Sequence, residues 1–165
     1  MFFLKILGGA LIVLAGYFIG RQKSQKLYCR RNFLKNITVF LSSLQTSLRY
    51  DCSDIFTIVT ESAKRQGLDC LECRSSGKSF AETWYEKISC LPNEYSALKS
   101  DKELLNKFGE NLGATDVEGQ LKHIELYKMQ FEKQLSFAEE DIAKKAKLYK
   151  TLGLFAGTAV VLMII

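Results

Sequence analysis

An all-α fold is predicted for this 165-residue chain: a bundle of about five to six helices, with N- and C-terminal transmembrane helices continuous with the first and last bundle helices. Three observations carry this expectation. Apolar residues recur at intervals of three, four and seven through most of the middle of the chain. One proline and 11 glycines leave too few turn residues for a many-stranded β-sandwich. The two ends, 6–20 and 152–165, contain no charged residue, so a mean hydropathy near zero averages over opposites.

The first element is an apolar run over residues 1–20, which needs Met1–Leu4 and a snorkelling Lys5 to approach the roughly 20 residues that a bilayer crossing requires. Residues 21–35 then hold Arg21, Lys23, Lys26, Arg30, Arg31 and Lys35 with no acid, and Lys144, Lys145, Lys147 and Lys150 stand before the apolar tail. Between these collars, 36–143 carries 12 basic and 18 acidic residues. The net charge of +5 therefore belongs to two basic collars around an acidic middle. Basic residues beside apolar runs stay on the cytoplasmic side of a membrane. The pattern predicts a hairpin: anchor 1–20, cytoplasmic bundle 21–150, and a shorter second anchor 151–165. A cleaved signal peptide is the competing reading of the first run; six cations after it against Lys5 before it favour a retained anchor. Gly16 with Gly20, and Gly153 with Gly157, form GxxxG spacings that would let the two end helices approach closely.

Within the bundle, Leu27, Leu34, Ile37, Leu41, Leu44 and Leu48 lie on one stripe of a helix reaching about Tyr50. Asp51 and Ser53 are expected to cap a second helix burying Ile55, Phe56, Val59 and Ala63 and ending at Gly67. A loop from Leu68 to Lys78 follows. Ser79 and Glu82 form a capping box opening a helix that buries Phe80, Trp84 and Ile88, and Pro92 breaks it. A short helix near Glu94–Lys99 precedes a second capping box, Ser100 with Glu103, and a helix burying Leu104, Leu105, Phe108 and Leu112, with Gly113 at its stop. Thr115 with Glu118 is the third box. From it Val117, Leu121, Ile124, Phe131, Leu135, Ala138, Ile142 and Tyr149 keep heptad-like spacing, so one helix is expected to run into the tail.

No phosphate-binding loop, zinc-protease, nucleophile-elbow or dinucleotide motif is present, so no catalytic residue, cofactor or metal is expected. Aromatics interleaved with basic residues, as a nucleic-acid face requires, are absent outside the collar. Of five cysteines, at 29, 52, 70, 73 and 90, Cys70 and Cys73 form a CxxC. It reads as free cytosolic thiols or as half of a zinc or redox site; a zinc site would need Cys52, Cys90 and the lone His123 to converge. The alternative function is thus a membrane-anchored metal- or thiol-dependent sensor. Asp116, Gln120 and His123, spaced i, i+4, i+7, read as a cation contact or, with more weight, as a cap with surface hydrogen bonds.

The run Asn111 to Ile124 (NLGATDVEGQLKHI) resembles the hallmark segment of the stage III sporulation protein AB family of endospore-forming Firmicutes, with Leu112, Gly113, Thr115, Asp116 and Gln120 as its specific core. Arg30, Arg31 and Leu34, and the long last helix with its short apolar tail, are also similar to that family. Members often carry proline near the collar and a Gly-Thr-Pro-like turn where this chain has Asp51, Cys52 and Ser53. The resemblance implies a non-enzymatic scaffold in the transenvelope complex between mother cell and forespore. Its soluble domain would resemble type II secretion platform-protein domains and dock the complex's cytoplasmic secretion-like ATPase onto other membrane components. It would sit in the mother-cell membrane facing the forespore; self-association is compatible with the sequence. The motif Leu112, Gly113, Thr115, Asp116, Gln120, Lys122 and His123 is expected to form a structural elbow, with Asp116 capping and Gln120 and His123 available for partner contact.

Overall fold

The computed structural model describes residues 2–50, 53–74 and 77–164. Its α-helices are α1 (Phe2–Tyr50), α2 (Ile55–Arg65), α3 (Phe80–Ser89), α4 (Lys99–Glu110), α5 (Val117–Asp141) and α6 (Lys147–Ile164), with no strand among the described residues. Two compact units are formed. Arg30–Ser136 is one; the two chain ends, up to Cys29 and from Phe137 onward, are the other.

In the unit Arg30–Ser136, α1 buries Phe33, Leu34, Ile37, Phe40, Leu41 and Leu44, the stripe expected from their spacing with two phenylalanines added. Leu27 and Leu48 at its margins are half-buried. α2 is capped by Asp54, the residue after the expected Ser53: its carboxylate accepts the Phe56 N–H at 3.3 Å. Asp54 directly precedes the first helical residue, where a side-chain oxygen reaches the second free N–H; Asp51 lies outside the described residues. The helix buries Ile58, Val59, Ser62 and Ala63, while Ile55 and Phe56 are half-buried. It closes as a Schellman motif on Gly67 at φ +63°, with Leu68 N–H donating to Ala63 O and Gly67 N–H to Lys64 O, both at 3.0 Å.

The Ser79 box forms as predicted, with Ser79 N–H donating to Glu82 Oε2 at 3.0 Å and Glu82 N–H to Ser79 Oγ at 3.3 Å. The Ser100–Glu103 box does not. α4 starts one residue before Ser100, and the Asp101 carboxylate accepts the Leu98 N–H at 2.9 Å, because Asp101 is drawn into the core by Arg30. The short helix expected near Glu94–Lys99 is a 3-10 turn over Asn93–Tyr95, ended by Ser96 in the left-handed region at φ 52°. Rings connect these helices. Phe56 meets Phe80 at 5.4 Å, Phe80 stacks on Trp84 at 5.7 Å, and Trp84 meets Phe40 and Phe108. Such pairs each contribute about 0.5–1.5 kcal/mol beyond the area they bury. Trp84 Nε1–H donates to Leu105 O at 2.7 Å, and α4 passes beneath the indole at Gly109, where any Cβ would overlap the ring.

The last helix is interrupted. α5 ends at Asp141, a π turn spans Ile142–Ala146, and α6 follows directly, so the expected unbroken α-helix carries one wide turn. Ile124, Phe131 and Ala138 are buried, but Val117 is 54% exposed. In the unit of the chain ends, Gly20 and Gly153 bring two helix backbones together. A Cβ on Gly20 would meet the Tyr149 carbonyl oxygen, and one on Gly153 would meet the Gly16 carbonyl oxygen. Gly157 lies outside the residues whose surroundings are described. Among the described residues no helix is long and apolar enough to cross a membrane. The first expected anchor drew on Met1–Leu4 and a snorkelling Lys5, side chains that lie outside those described, as do several in the tail.

Candidate functional site: the elbow between the fourth and fifth helices

A helix leaves its last four carbonyls and first four N–H groups without partners, and α4 and α5 expose these ends to each other across residues 111–116. The motif side chains fill them. Asp116 caps α5 as expected, accepting the Gly119 N–H at 3.1 Å; the Thr115–Glu118 box does not form, and Glu118 pairs instead with Lys122 at 3.0 Å in open solvent. Gln120 is 3% exposed. Its Oε1 accepts the Gly113 N–H at 3.0 Å, and its Nε2 donates to Thr115 Oγ1 at 2.9 Å and Asn111 O at 3.3 Å. One carboxamide thus closes the C-terminal turn of α4 from the first turns of α5.

His123, one turn further, places Nε2 2.9 Å from Phe108 O. A carbonyl only accepts, so this nitrogen carries the proton. The imidazole stacks on Phe108 at 5.6 Å and tilts against Tyr127 at 4.7 Å. Leu112 is buried beneath the turn, and Gly113 turns the chain at φ +85°, a conformation that costs a residue with a Cβ roughly 1–2 kcal/mol. Asp116, Gln120 and His123 do share one helix face. Gln120 and His123 turn toward α4, so their hydrogen bonds are internal, while Asp116 caps the helix at its solvent-facing start. A cation contact at this cluster would compete with backbone groups already held by Gln120 and His123. Lys122 and Asp116 are the charged members left on the surface.

Two further features escaped sequence reasoning. Gly119 looks like a cost of about 1 kcal/mol in a helix, yet a Cβ there would lie 2.7 Å from Thr115 Oγ1 and 2.8 Å from Asp116 Oδ1, so the cap needs it. Arg30 is not a collar cation. It is 6% exposed, and its Nε and one terminal nitrogen bond the fully buried Asp101 carboxylate at 2.8 and 2.9 Å, with Gln134 Oε1 at 3.3 Å. The available signal was its phase, since Arg30 falls on the stripe between Leu27 and Leu34.

Thr60 pins the CxxC segment to α2, its Oγ1 donating to Cys73 O at 2.7 Å and accepting the Cys73 N–H at 3.2 Å. Burial raises the Cys73 thiol to about 11. Cys70 is also raised, mainly by burial, with a hydrogen bond to Tyr95 acting the other way. Reactive thiols need the opposite shift. Among the described residues no group of three or more His, Cys, Asp or Glu side chains gathers as a metal site; Cys52 lies outside them.

The sequence profile of the stage III sporulation protein AB family matches residues 5–165. Stage III sporulation protein AB of Bacillus subtilis (strain 168) is 31% identical over 170 aligned residues, which cover 98% of this chain and 99% of that protein. No solved structure matches the chain.

Proposed function

The chain belongs to the stage III sporulation protein AB family and has a role in sporulation, and from that premise we propose that it acts without catalysis, as a scaffold. Its helical bundle, facing the mother-cell cytoplasm, docks the sporulation complex's secretion-like ATPase and couples it to the complex's other membrane components. The ends of the chain anchor it as a hairpin in the mother-cell membrane facing the forespore. The elbow carries this reading. The residues that carry the resemblance to the family, Gly113, Thr115, Asp116 and Gln120, tie two helix ends together, which suits a part that transmits position. The basic collars, the acidic middle and the glycine contact between the chain ends support the hairpin.

The test is co-expression of the full chain with the ATPase and capture of one through the other in mild detergent. A stable complex, kept by an ATPase variant unable to hydrolyse nucleotide, is expected. A natively folded chain that captures no ATPase refutes the docking role. Topology is read at Cys90, which is exposed: a membrane-impermeant maleimide should label it only after the cells are permeabilised, and labelling of intact cells overturns the hairpin.

A further inference from the structure

We propose that the surface of α1 around Arg21 is a binding site for an anionic phospholipid, with the headgroup phosphate on the Arg21 guanidinium and the acyl chains against Phe18 and Ile19. This rests on the membrane reading and names the lipid that reading leaves open.

The site is an open hollow of about 440 Å³ lined by Phe18, Ile19, Arg21, Gln22 and Gln25. A second hollow of about 280 Å³ shares Arg21 and Gln25 and adds Ser24 and Tyr28. Its chemistry is graded along the helix. Phe18 and Ile19 are each 59% exposed and close the charge-free run, whereas one turn later the lining turns to a cation and hydrogen-bond donors. Arg21 makes no ion pair or hydrogen bond among the described residues, and α1 contains no acidic residue to compete for it. On the opposing segment, Glu140 and Asp141 already pair with Lys144 and Lys145. The Ser24 hydroxyl is buried without a hydrogen-bond partner among the described residues.

Guanidinium matches two phosphate oxygens at once, the geometry that favours arginine over lysine at such sites. A tyrosine beside it suits the polar boundary of a bilayer. A soluble phosphate would use the cation but leave the adjoining apolar lining in water, so charge and hydropathy together select a lipid over a free anion.

The full chain is reconstituted in vesicles of phosphatidylcholine alone or of three parts phosphatidylcholine to one part phosphatidylglycerol, and the protein-restricted fraction of spin-labelled lipid is measured for each headgroup. Phosphatidylglycerol should be preferred by about fivefold, the effect of one well-placed cation at a membrane surface. Arg21→Gln should bring the preference close to parity, while Lys23→Gln, which removes the same charge two residues away, should leave it nearly intact. An equal loss in both variants, or full preference in Arg21→Gln, overturns the site in favour of a diffuse collar. Displacement of the labelled lipid by inorganic phosphate overturns the lipid assignment. A chain that restricts neither lipid has failed to enter the vesicles, which refutes the membrane reading itself.

Discussion

The ion pair of Arg30 and Asp101 offers the sharpest test of how this bundle is held. Asp101 has no exposed surface and Arg30 has 6%, so removing one charge leaves the other stranded in the core. Arg30→Met leaves the carboxylate with the Leu98 N–H as its donor; Asp101→Asn leaves the guanidinium with amide acceptors in place of a carboxylate. Each single change should cost about 3–5 kcal/mol. Together, Arg30→Met and Asp101→Asn remove both charges, while the carboxamide introduced at position 101 can still accept the Leu98 N–H, so the double variant should lie within about 1–2 kcal/mol of the parent. The cycle is then non-additive by several kcal/mol. Trp84 is the single tryptophan and is 1% exposed, which makes its fluorescence the reporter for urea unfolding of the full chain in mild detergent. With a slope of about 1–3 kcal/mol per molar urea, each single variant should move the midpoint down by about 1 M or more. A shift under about 1 kcal/mol for Asp101→Asn, or additivity within about 0.5 kcal/mol, would refute the account of a buried, mutually dependent pair.

Gln120→Ala removes the hydrogen bonds to Gly113, Thr115 and Asn111 and should cost about 2–3 kcal/mol, read as a lower urea midpoint with faster proteolysis across residues 111–116. Gly109→Ala, which at an ordinary helical position would gain up to about 1 kcal/mol, should instead lose at least about 1 kcal/mol by forcing the Trp84 ring aside, with a red shift of its emission; unchanged emission would contradict the packing. Iodoacetamide at pH 8 followed by mass spectrometry should modify exposed Cys90 well before buried Cys73. Since burial raises Cys73 from 9.0 to about 11, the folded state binds the proton more tightly between those values. Its contribution to stability is therefore fully present below pH 9 and declines as pH rises towards about 11; a gain in stability over that range would contradict the burial.

Much of the fold was legible because its signals are local. The stripe from Leu34 to Leu44, the Ser79 capping box and the stop at Gly67 involve residues within a few turns of each other, and period and hydrogen-bond reach leave few alternatives. The helix starts that were misplaced, at Asp54 and Asp101, sit where several acceptors crowd together and distant contacts choose among them. At the elbow, the i, i+4, i+7 spacing showed that Asp116, Gln120 and His123 share a face but could not show which way the face turns. The same limit applies to Gly109 and Gly119, where the sequence records an absent side chain and only the neighbours reveal what the gap admits.

By itself, then, the sequence determined an all-helical chain with uncharged ends, basic collars and an acidic middle, since periodicity and charge placement are properties of the order of residues. Tertiary structure alone decided which polar groups went inside. Arg30 reads as one more collar cation until Asp101, 71 positions away, meets it in the core, and Gln120 reads as surface until α4 folds over it. Burying such a group costs several kcal/mol unless a partner arrives with the right geometry, and that partner is supplied by the fold.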